Sequence, residues 1–390
     1  MQARAISYHR RAAMPTPDHS GVRIVGVSVA DVSDWREPVP AGKWSQFFGA
    51  LAERLTLVDT IRPQLSRRRE LENLAVNFSP GRARWLARAG FNLRRTAELT
   101  ALVEQALLRR RSSYDLVVQL QTLCAPGSSG ACGPYVVYTD NTFALTQRIY
   151  PRWAPLPASK VRQWLEFEAR VCRAATRVFT FSEFARRSVV DDYGCEPGRA
   201  IAIGAGANQL LAELGEKDYG NPTALFVGSP FELKGGPTLL RAWSEVRSRI
   251  PAAELIIAGP HGRPPRDLGP GISWRGHVDR AELARLYRGA SVFVLPSMFD
   301  AWGHVFVEAM GHGLPCIGTD CCAMPEIIED GVTGRLVPRG EAPPLADALV
   351  ELLGDPERTE RMGRTAHARV LERLTWAHVG QRFLENLPGP

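Results

Sequence analysis

No run of about 18 apolar residues occurs in the 390-residue chain, which excludes a membrane-spanning helix. The most apolar stretches, 291–295 and 254–258, are strand-length pieces bounded by polar, Gly or Pro residues. Cysteine is sparse. Its seven copies (Cys124, Cys132, Cys172, Cys195, Cys316, Cys321, Cys322) form no C-x-x-C pair and no spacing with His that resembles a zinc site, so reduced, buried thiols are expected and no metal is. A bridge between the neighbours Cys321 and Cys322 would be strained, because adjacent side chains on an extended segment point apart. Residues 1–20 lack the continuous apolar core of a secretory signal and read as a flexible tail on a cytoplasmic protein. A repeat of 20 to 50 residues is also missing, which excludes a solenoid.

What is present is ordinary in bulk: 45% hydrophobic and 23% charged residues, with 35 Gly and 29 Pro, are values of a soluble globular chain. At ~150 residues per domain, the length favours two domains. The net charge of +7 is unevenly spread: residues 1–200 hold 29 Lys+Arg against 18 Asp+Glu, and residues 201–390 hold 19 against 23. Much of the surplus lies in Arg67, Arg68, Arg69, Arg82, Arg84, Arg88, Arg94, Arg95 and Arg109, Arg110, Arg111, with Trp85 and Phe91 interleaved at helix-like spacing. That pattern suits a solvated helix face, or a surface meeting anionic lipid or an acidic acceptor. No recognised nucleic-acid motif accompanies it, so nucleic acid is not an expected partner.

Short β-like runs alternate with helical stretches throughout, which predicts parallel sheets covered by helices. One set of strands is expected at 22–29, 55–58, 115–120, 135–138, 177–181 and 200–203, and a second at 224–227, 254–258, 272–274, 291–295, 316–318 and 334–337. Between the sets the pattern lapses into Gly204-Ala-Gly-Ala-Asn208, a short Leu-rich turn of helix, and Asp218-Tyr-Gly-Asn-Pro222. The expected division is a tail (1–20), a first domain (21–207), a linker (208–221), a second domain (222–375) and a C-terminal helical segment (376–390).

In open α/β sheets ligands bind beyond the carboxyl ends of the strands, where helix N-termini present free N–H groups to anions. Two junctions in the second domain have suitable residues. In Phe226-Val-Gly-Ser-Pro-Phe-Glu-Leu-Lys-Gly-Gly236, Gly228 frees the backbone after a strand, Lys234 supplies a compact cation, and Gly235 and Gly236 allow close approach at a helix start, a cradle for a diphosphate. Alternatively Lys234 is a surface lysine before a turn. In the other, Asp300 lies in a loop, Glu308 sits two turns into the next helix, and Trp302, Gly303, His304 and Val305 offer N–H groups between them. Two carboxylates so placed can bind hydroxyls at opposite ends of a sugar nucleotide whose phosphates rest on the N–H groups. The competing roles are a helix cap for Asp300 and a buried, satisfied acid for Glu308.

With Trp274-Arg-Gly-His-Val278, Leu295-Pro-Ser297, Gly313-Leu-Pro-Cys-Ile-Gly-Thr-Asp320 and Met324-Pro-Glu-Ile-Ile-Glu-Asp-Gly-Val-Thr-Gly334 in the same order, residues 222–376 resemble the donor-binding domain of family 4 retaining glycosyltransferases of the GT-B fold (glycosyl transferases group 1). The likeness of residues 22–208 is one of layout, with Thr180-Phe-Ser-Glu183 placed where that family's first domain ends. The resemblance implies an α/β GT-B architecture, two Rossmann-like domains facing across a cleft. It implies that Lys234 contacts the donor diphosphate, Glu308 the ribose, Asp300 the transferred sugar and the backbone at Gly276, His277 and Val278 the base. No cofactor and no metal are implied, since lysine and helix dipole stabilise the leaving nucleoside diphosphate.

Four departures from the family pattern stand out. Asp300 replaces the first Glu of the usual carboxylate pair, and Ser229 replaces an Arg, leaving Lys234 as the single cation. Asp140 stands where the family often has His, and can orient an acceptor hydroxyl or the donor sugar. Gly42 in Ala41-Gly-Lys-Trp-Ser45 is a lone glycine after the first strand. The expected activity is retaining transfer of a hexose-type sugar from a UDP- or GDP-sugar to a hydroxyl acceptor; the basic first domain adds a lipid-linked acceptor and peripheral contact at the inner face of the membrane to what is considered. The rivals are a catalytically silent GT-B module that binds sugar nucleotide or a partner protein, and a phosphorylase or epimerase on the same fold.

Overall fold

The computed structural model describes residues 21–37, 42–127, 130–262, 264–265 and 268–387; the expected N-terminal tail, Ala41 and residues 388–390 lie outside them. The described strands form two six-stranded sheets, parallel throughout. The first contains β1 (Arg23–Val27), β2 (Thr56–Ile61), β3 (Leu116–Leu120), β4 (Tyr135–Thr139), β5 (Arg177–Thr180) and β6 (Ala200–Ala202), in the order β2-β1-β3-β4-β5-β6. The second contains β7 (Thr223–Val227), β8 (Glu254–Ala258), β9 (Ile272–Gly276), β10 (Val292–Val294), β11 (Cys316–Thr319) and β12 (Gly334–Val337), in the order β12-β11-β10-β7-β8-β9. Each order reverses once, between β1 and β3 and between β7 and β10. Those reversals open the crevices where such sheets take ligands.

The central strands read as near-continuous apolar runs because helices cover both faces. Every residue of β3, β4 and β7 is buried. In the first domain α1 (Lys43–Ala52) follows β1, and three helices fill the long crossover from β2 to β3: α2 (Arg67–Val76), α3 (Arg82–Gly90) and α4 (Leu93–Leu108). Then come α5 (Phe143–Ile149), α6 (Ala158–Ala174) and α7 (Glu183–Asp191). The second domain has α8 (Gly236–Arg249), α9 (Arg280–Gly289), α10 (His304–Gly311), α11 (Met324–Ile327), α12 (Ala342–Leu353) and α13 (Pro356–Arg373). Thr375 caps α14 (Trp376–Glu385) through the His378 N–H. This last helix leaves the second domain and lays Phe383 between Phe47 of α1 and Phe179 of β5, with ring centroids 5.6 and 4.6 Å away.

Between the sheets the chain departs from the expected turn of helix. Residues 210–214 are non-helical: their half-buried leucines run along the second domain instead of sharing a helix face. Leu210 packs on Gly311, Leu214 lies against Gly313, and the Leu211 carbonyl meets His367 Nε2 at 2.9 Å. Lys217 completes the strap: its Nζ donates to the Tyr287 and Arg288 carbonyls at the C-terminus of α9, and burial pushes its ammonium down to about 8.

A carboxylate joins the two domains. Glu326 of α11 accepts the N–H groups of Glu183 and Phe184 at 2.7 and 2.8 Å, so an acid from one domain satisfies the open N-terminus of α7 in the other. Burial raises its carboxyl and those two bonds oppose the rise.

Candidate functional site

The loops at the two sheet reversals each deliver a lysine, and each lysine meets an aspartate from another strand end of its own sheet, one strand away for Lys234 and two for Lys43. After β7 the chain turns so that the Lys234 N–H bonds the Pro230 carbonyl at 3.0 Å. Gly235, at φ 78°, lies so close to the Pro296 carbonyl that a Cβ there would overlap it. The close approach at Gly235 and Gly236 is therefore to Pro296 and the Phe231 ring. It presses the Lys234 loop against the loop after β10, where Lys234 Nζ donates to Asp300 Oδ2 at 2.5 Å. Both side chains are largely buried, 18% and 14% exposed, so Lys234 is not a free surface lysine. Gly228 sits under the Lys234 stem, while Ser229 is exposed.

Asp300 does not cap the helix that follows it. The N-cap of α10 is Gly303 at φ 82°; no side chain caps the helix and no acid lies in its first turn. The N-terminal backbone of α10, at His304 and Val305, is thus left without a side-chain cap beside the Lys234–Asp300 pair. Glu308 is 7% exposed and accepts from Asn208 Nδ2 (3.1 Å) and the Tyr287 hydroxyl (3.4 Å). Burial raises its carboxyl against those bonds. Asn208 Oδ1 and the indole N–H of buried Trp302 have no hydrogen-bond partner among the described residues. Gly276, at φ 63°, ends β9; Val278 is half-buried, and the exposed His277 ring stacks on His261 with centroids 5.2 Å apart.

In the first domain Gly42 is the N-cap of α1, and the residue after it was missed by sequence reasoning. Lys43 Nζ donates to Asp140 Oδ2 at 2.7 Å and lies 4.6 Å above the Trp44 ring. Burial alone would raise the Asp140 carboxyl; the charge and hydrogen bond of Lys43, helped by the Gln121 amide, hold it below the usual carboxylate range. Gln121 was missed too. It follows β3 at φ 60°, a conformation rarely taken by residues other than glycine, and its carbonyl accepts the Gln119 side chain at 2.8 Å. No local pattern marks either residue. Only the strand order, which puts both loops at one crevice, could have found them.

Glu168 of α6 fixes these loops from behind. Its carboxylate accepts from Thr122 Oγ1 (2.7 Å), the Phe143 N–H (2.9 Å), Trp164 Nε1 (3.2 Å) and the Tyr193 hydroxyl, tying the segment after β3 to the one after β4. Burial raises its carboxyl against all four bonds.

His304 is where the two halves meet. Its ring lies 5.6 Å from Phe181 of the first domain, and Trp302 also reaches Phe181 at 6.2 Å. Burial, then the charge of Lys43, pushes the imidazole down to about 4, with Asp140 and Asp300 pulling the other way. A neutral imidazole thus stands between two Lys–Asp pairs. Beyond it, after β11, lie the free thiols Cys321 and Cys322, the latter at φ 57°. The Cys322 thiol hydrogen-bonds Cys321 and, against burial, lowers it to about 7. A cavity of about 760 Å³ between α4 and α6, floored by Tyr135, Phe167 and Val171, shares no residue with this site.

Two six-stranded parallel sheets with ligand-type crevices facing each other define the GT-B class of glycosyltransferase folds. Residues 221–355 match the family described as glycosyl transferases group 1. The chain is 31% identical over 244 residues to D-inositol 3-phosphate glycosyltransferase of Nocardia farcinica, covering 56% of this chain and 54% of that protein. It is 30% identical over 201 residues to alpha-maltose-1-phosphate synthase of Mycobacterium tuberculosis, covering 46% and 51%. The chain spans about half the length of the curated relatives it matches. Among solved structures, sucrose-phosphate synthase from Thermosynechococcus elongatus superposes with a TM-score of 0.68 at 20% identity, covering 93% of this chain and 97% of that one. Anabaena Alr3699/HepE in complex with UDP-glucose does so with a TM-score of 0.65 at 16% identity, covering 93% and 98%.

Proposed function

We propose that the chain is a retaining glycosyltransferase that moves a hexose from a UDP- or GDP-sugar to a hydroxyl acceptor in the cleft between the sheets. The observation that carries this reading is the Lys234–Asp300 pair beside the uncapped N-terminus of α10. An incoming diphosphate takes Lys234 and the α10 N–H groups, which frees Asp300 to accept hydroxyls of the transferred sugar. Glu308 accepts the ribose hydroxyls, and the unpartnered Asn208 Oδ1 is a further acceptor beside it. The base lies toward Gly276, His277 and Val278, two strand spacings or about 10 Å from β7. That distance suits a nucleotide stretched across the strand ends.

The acceptor enters from the first domain, where ionised Asp140, Lys43 and Gln121 orient its hydroxyl. The departing phosphate oxygen, held by Lys234, takes the acceptor proton on the same face of the sugar, so configuration is retained. Lys234 and the helix end supply the charge stabilisation here, so the reaction needs neither metal nor cofactor. Support from relatives is of two kinds: those named above act by name on a phosphorylated inositol or make a sugar phosphate, and a structural neighbour holds UDP-glucose.

The test is nucleotide release from a panel of UDP-, GDP- and ADP-sugars, with and without acceptor and with and without chelator. Release that rises with acceptor, survives chelator and yields the donor's own anomer is expected. Tight nucleotide binding with no release for any donor or acceptor would leave a silent sugar-nucleotide binder.

A further inference from the structure

The crossover between β2 and β3 carries a surface that the cleft does not use. Among the described residues nine large hydrophobic side chains are exposed, and four of them fall in one hairpin: Leu71 (58%), Val76 (73%), Phe78 (63%) and Leu86 (49%). Helix α2 buries no residue at all. The hairpin is nonetheless firmly built. Trp85 Nε1 donates to the Leu74 carbonyl at 2.7 Å, Asn73 Nδ2 to the Ala89 carbonyl at 2.9 Å, and the Phe78 ring meets Trp85 edge-on at 5.7 Å. A loosely held segment would have no such bonds between its arms. The apolar tip is therefore held out in solvent by design of the hairpin.

Charge surrounds that tip. Residues 67–95 contain eight arginines and two acids, Glu70 and Glu72. Both acids are already paired, Glu70 with Arg95 and Glu72 with Arg68 and Arg69. Arg67, Arg82 and Arg84 are exposed and make no ion pair among the described residues. Exposed aliphatic and aromatic side chains ringed by unpaired guanidinium groups match the interface of an anionic bilayer, which takes the apolar atoms below its headgroups and the arginines among its phosphates. A nucleic acid would satisfy the arginines and leave Leu71, Val76 and Leu86 in water.

We propose that the α2–α3 hairpin is a docking surface for anionic lipid bilayers, with Val76 and Phe78 inserted and Arg67, Arg82 and Arg84 at headgroup level. All strands of the first sheet are parallel, so the hairpin after β2 leaves from the same edge as Lys43 after β1, Gln121 after β3 and Asp140 after β4. A docked chain thereby turns the acceptor side of its cleft toward the membrane. The docking itself is independent of the transfer reaction; only delivery of a lipid-linked acceptor rests on the function proposed above.

The experiment is sedimentation of the full chain with phosphatidylcholine vesicles and with vesicles containing about 30% phosphatidylglycerol, at low and high salt. Binding to the anionic vesicles at low salt, weakened by high salt and slight on neutral vesicles, is expected. Replacing arginines (Arg82→Glu with Arg84→Glu) should cost at least about fivefold per residue. A Val76→Ser, Phe78→Ser double variant should cost about tenfold or more, and Val76→Ser alone, which leaves the Phe78–Trp85 contact in place, should weaken binding with unchanged thermal unfolding. Three results would overturn the proposal: no binding of the wild type to anionic vesicles, equal binding by the double serine variant, or displacement from vesicles by RNA at equal phosphate concentration.

Discussion

The two domains place the same kind of ion pair at the same kind of position and build it by different means. In the second domain Lys234–Asp300 is held by backbone: among the described residues ten glycines there take positive φ, against five in the first domain, and Gly235 and Gly303 flank the pair. In the first, Lys43–Asp140 is held by side chains, with aromatic rings under Lys43 and the Glu168 network behind Asp140. A site built from glycine-shaped loops tolerates few sequences and so resembles its relatives. A site built from interlocking side chains can be rebuilt in many ways, and it is the glycine-built domain that matches a family, at residues 221–355.

If the division of labour holds, damage to the two pairs will separate kinetically. The largest effect is expected at the second-domain pair. Lys234→Ala should lower transfer about 100- to 1,000-fold and weaken nucleotide binding, because it removes the cation for the departing diphosphate and strands Asp300. Restoring a cation with Ser229→Arg in that background should recover part of the loss. An inert Lys234→Ala would move the diphosphate site elsewhere. Next comes Glu308→Gln, which keeps shape and gives up hydrogen bonds to a charged acceptor worth about 1.5–3 kcal/mol each. Calorimetric titration with UDP and GDP should show at least tenfold weaker binding, and unchanged affinity would reduce Glu308 to a structural acid holding Asn208 and Tyr287.

The first-domain pair should behave differently. Asp140→Asn and Lys43→Ala should each cut turnover about tenfold or more while nucleotide affinity stays near wild type, the signature of a group that acts on acceptor or sugar. Equal losses of nucleotide affinity at both pairs would erase the distinction between the domains. The smallest effect concerns pH. His304 is neutral in the folded protein down to about 4, whereas an unfolded histidine takes its proton near 6.5. The unfolded state therefore binds more protons between those values, so stability should fall as pH drops from about 6.5 toward 4. His304→Gln should flatten that slope in denaturant titrations at several pH values, and an unaltered slope would assign acid sensitivity to other groups.

What was legible in the sequence follows the same division. Every strand of both sheets could be placed to within a few residues, because buried parallel strands are written as short apolar runs between Gly, Pro and polar residues. Lys234, Asp300 and Glu308 were singled out at the two loop–helix junctions of the second domain, and the structure brings Lys234 and Asp300 into one ion pair. Lys43 and Gln121 were not, since a lysine at a helix start and a glutamine after a strand are ordinary until the order β1-β3-β4 puts them beside Asp140. The leucines of 210–214 read as helical because their spacing suits a helix face as well as it suits a strap. Glu168 gave no signal, because nothing local distinguishes a buried acid with four donors from a surface acid on a helix.

The placement of Phe383 sets an order of events during synthesis. The ring that lies between Phe47 and Phe179 is made only after the whole second domain, so the earlier-made sheet leaves the ribosome with a gap in its aromatic core. That half must wait, partly exposed, while the second domain, whose six strands are all made before α14, folds behind it. Only when α14 has cleared the exit tunnel can the first half finish, which makes a helix that follows the second domain the final step in maturing the domain that precedes it.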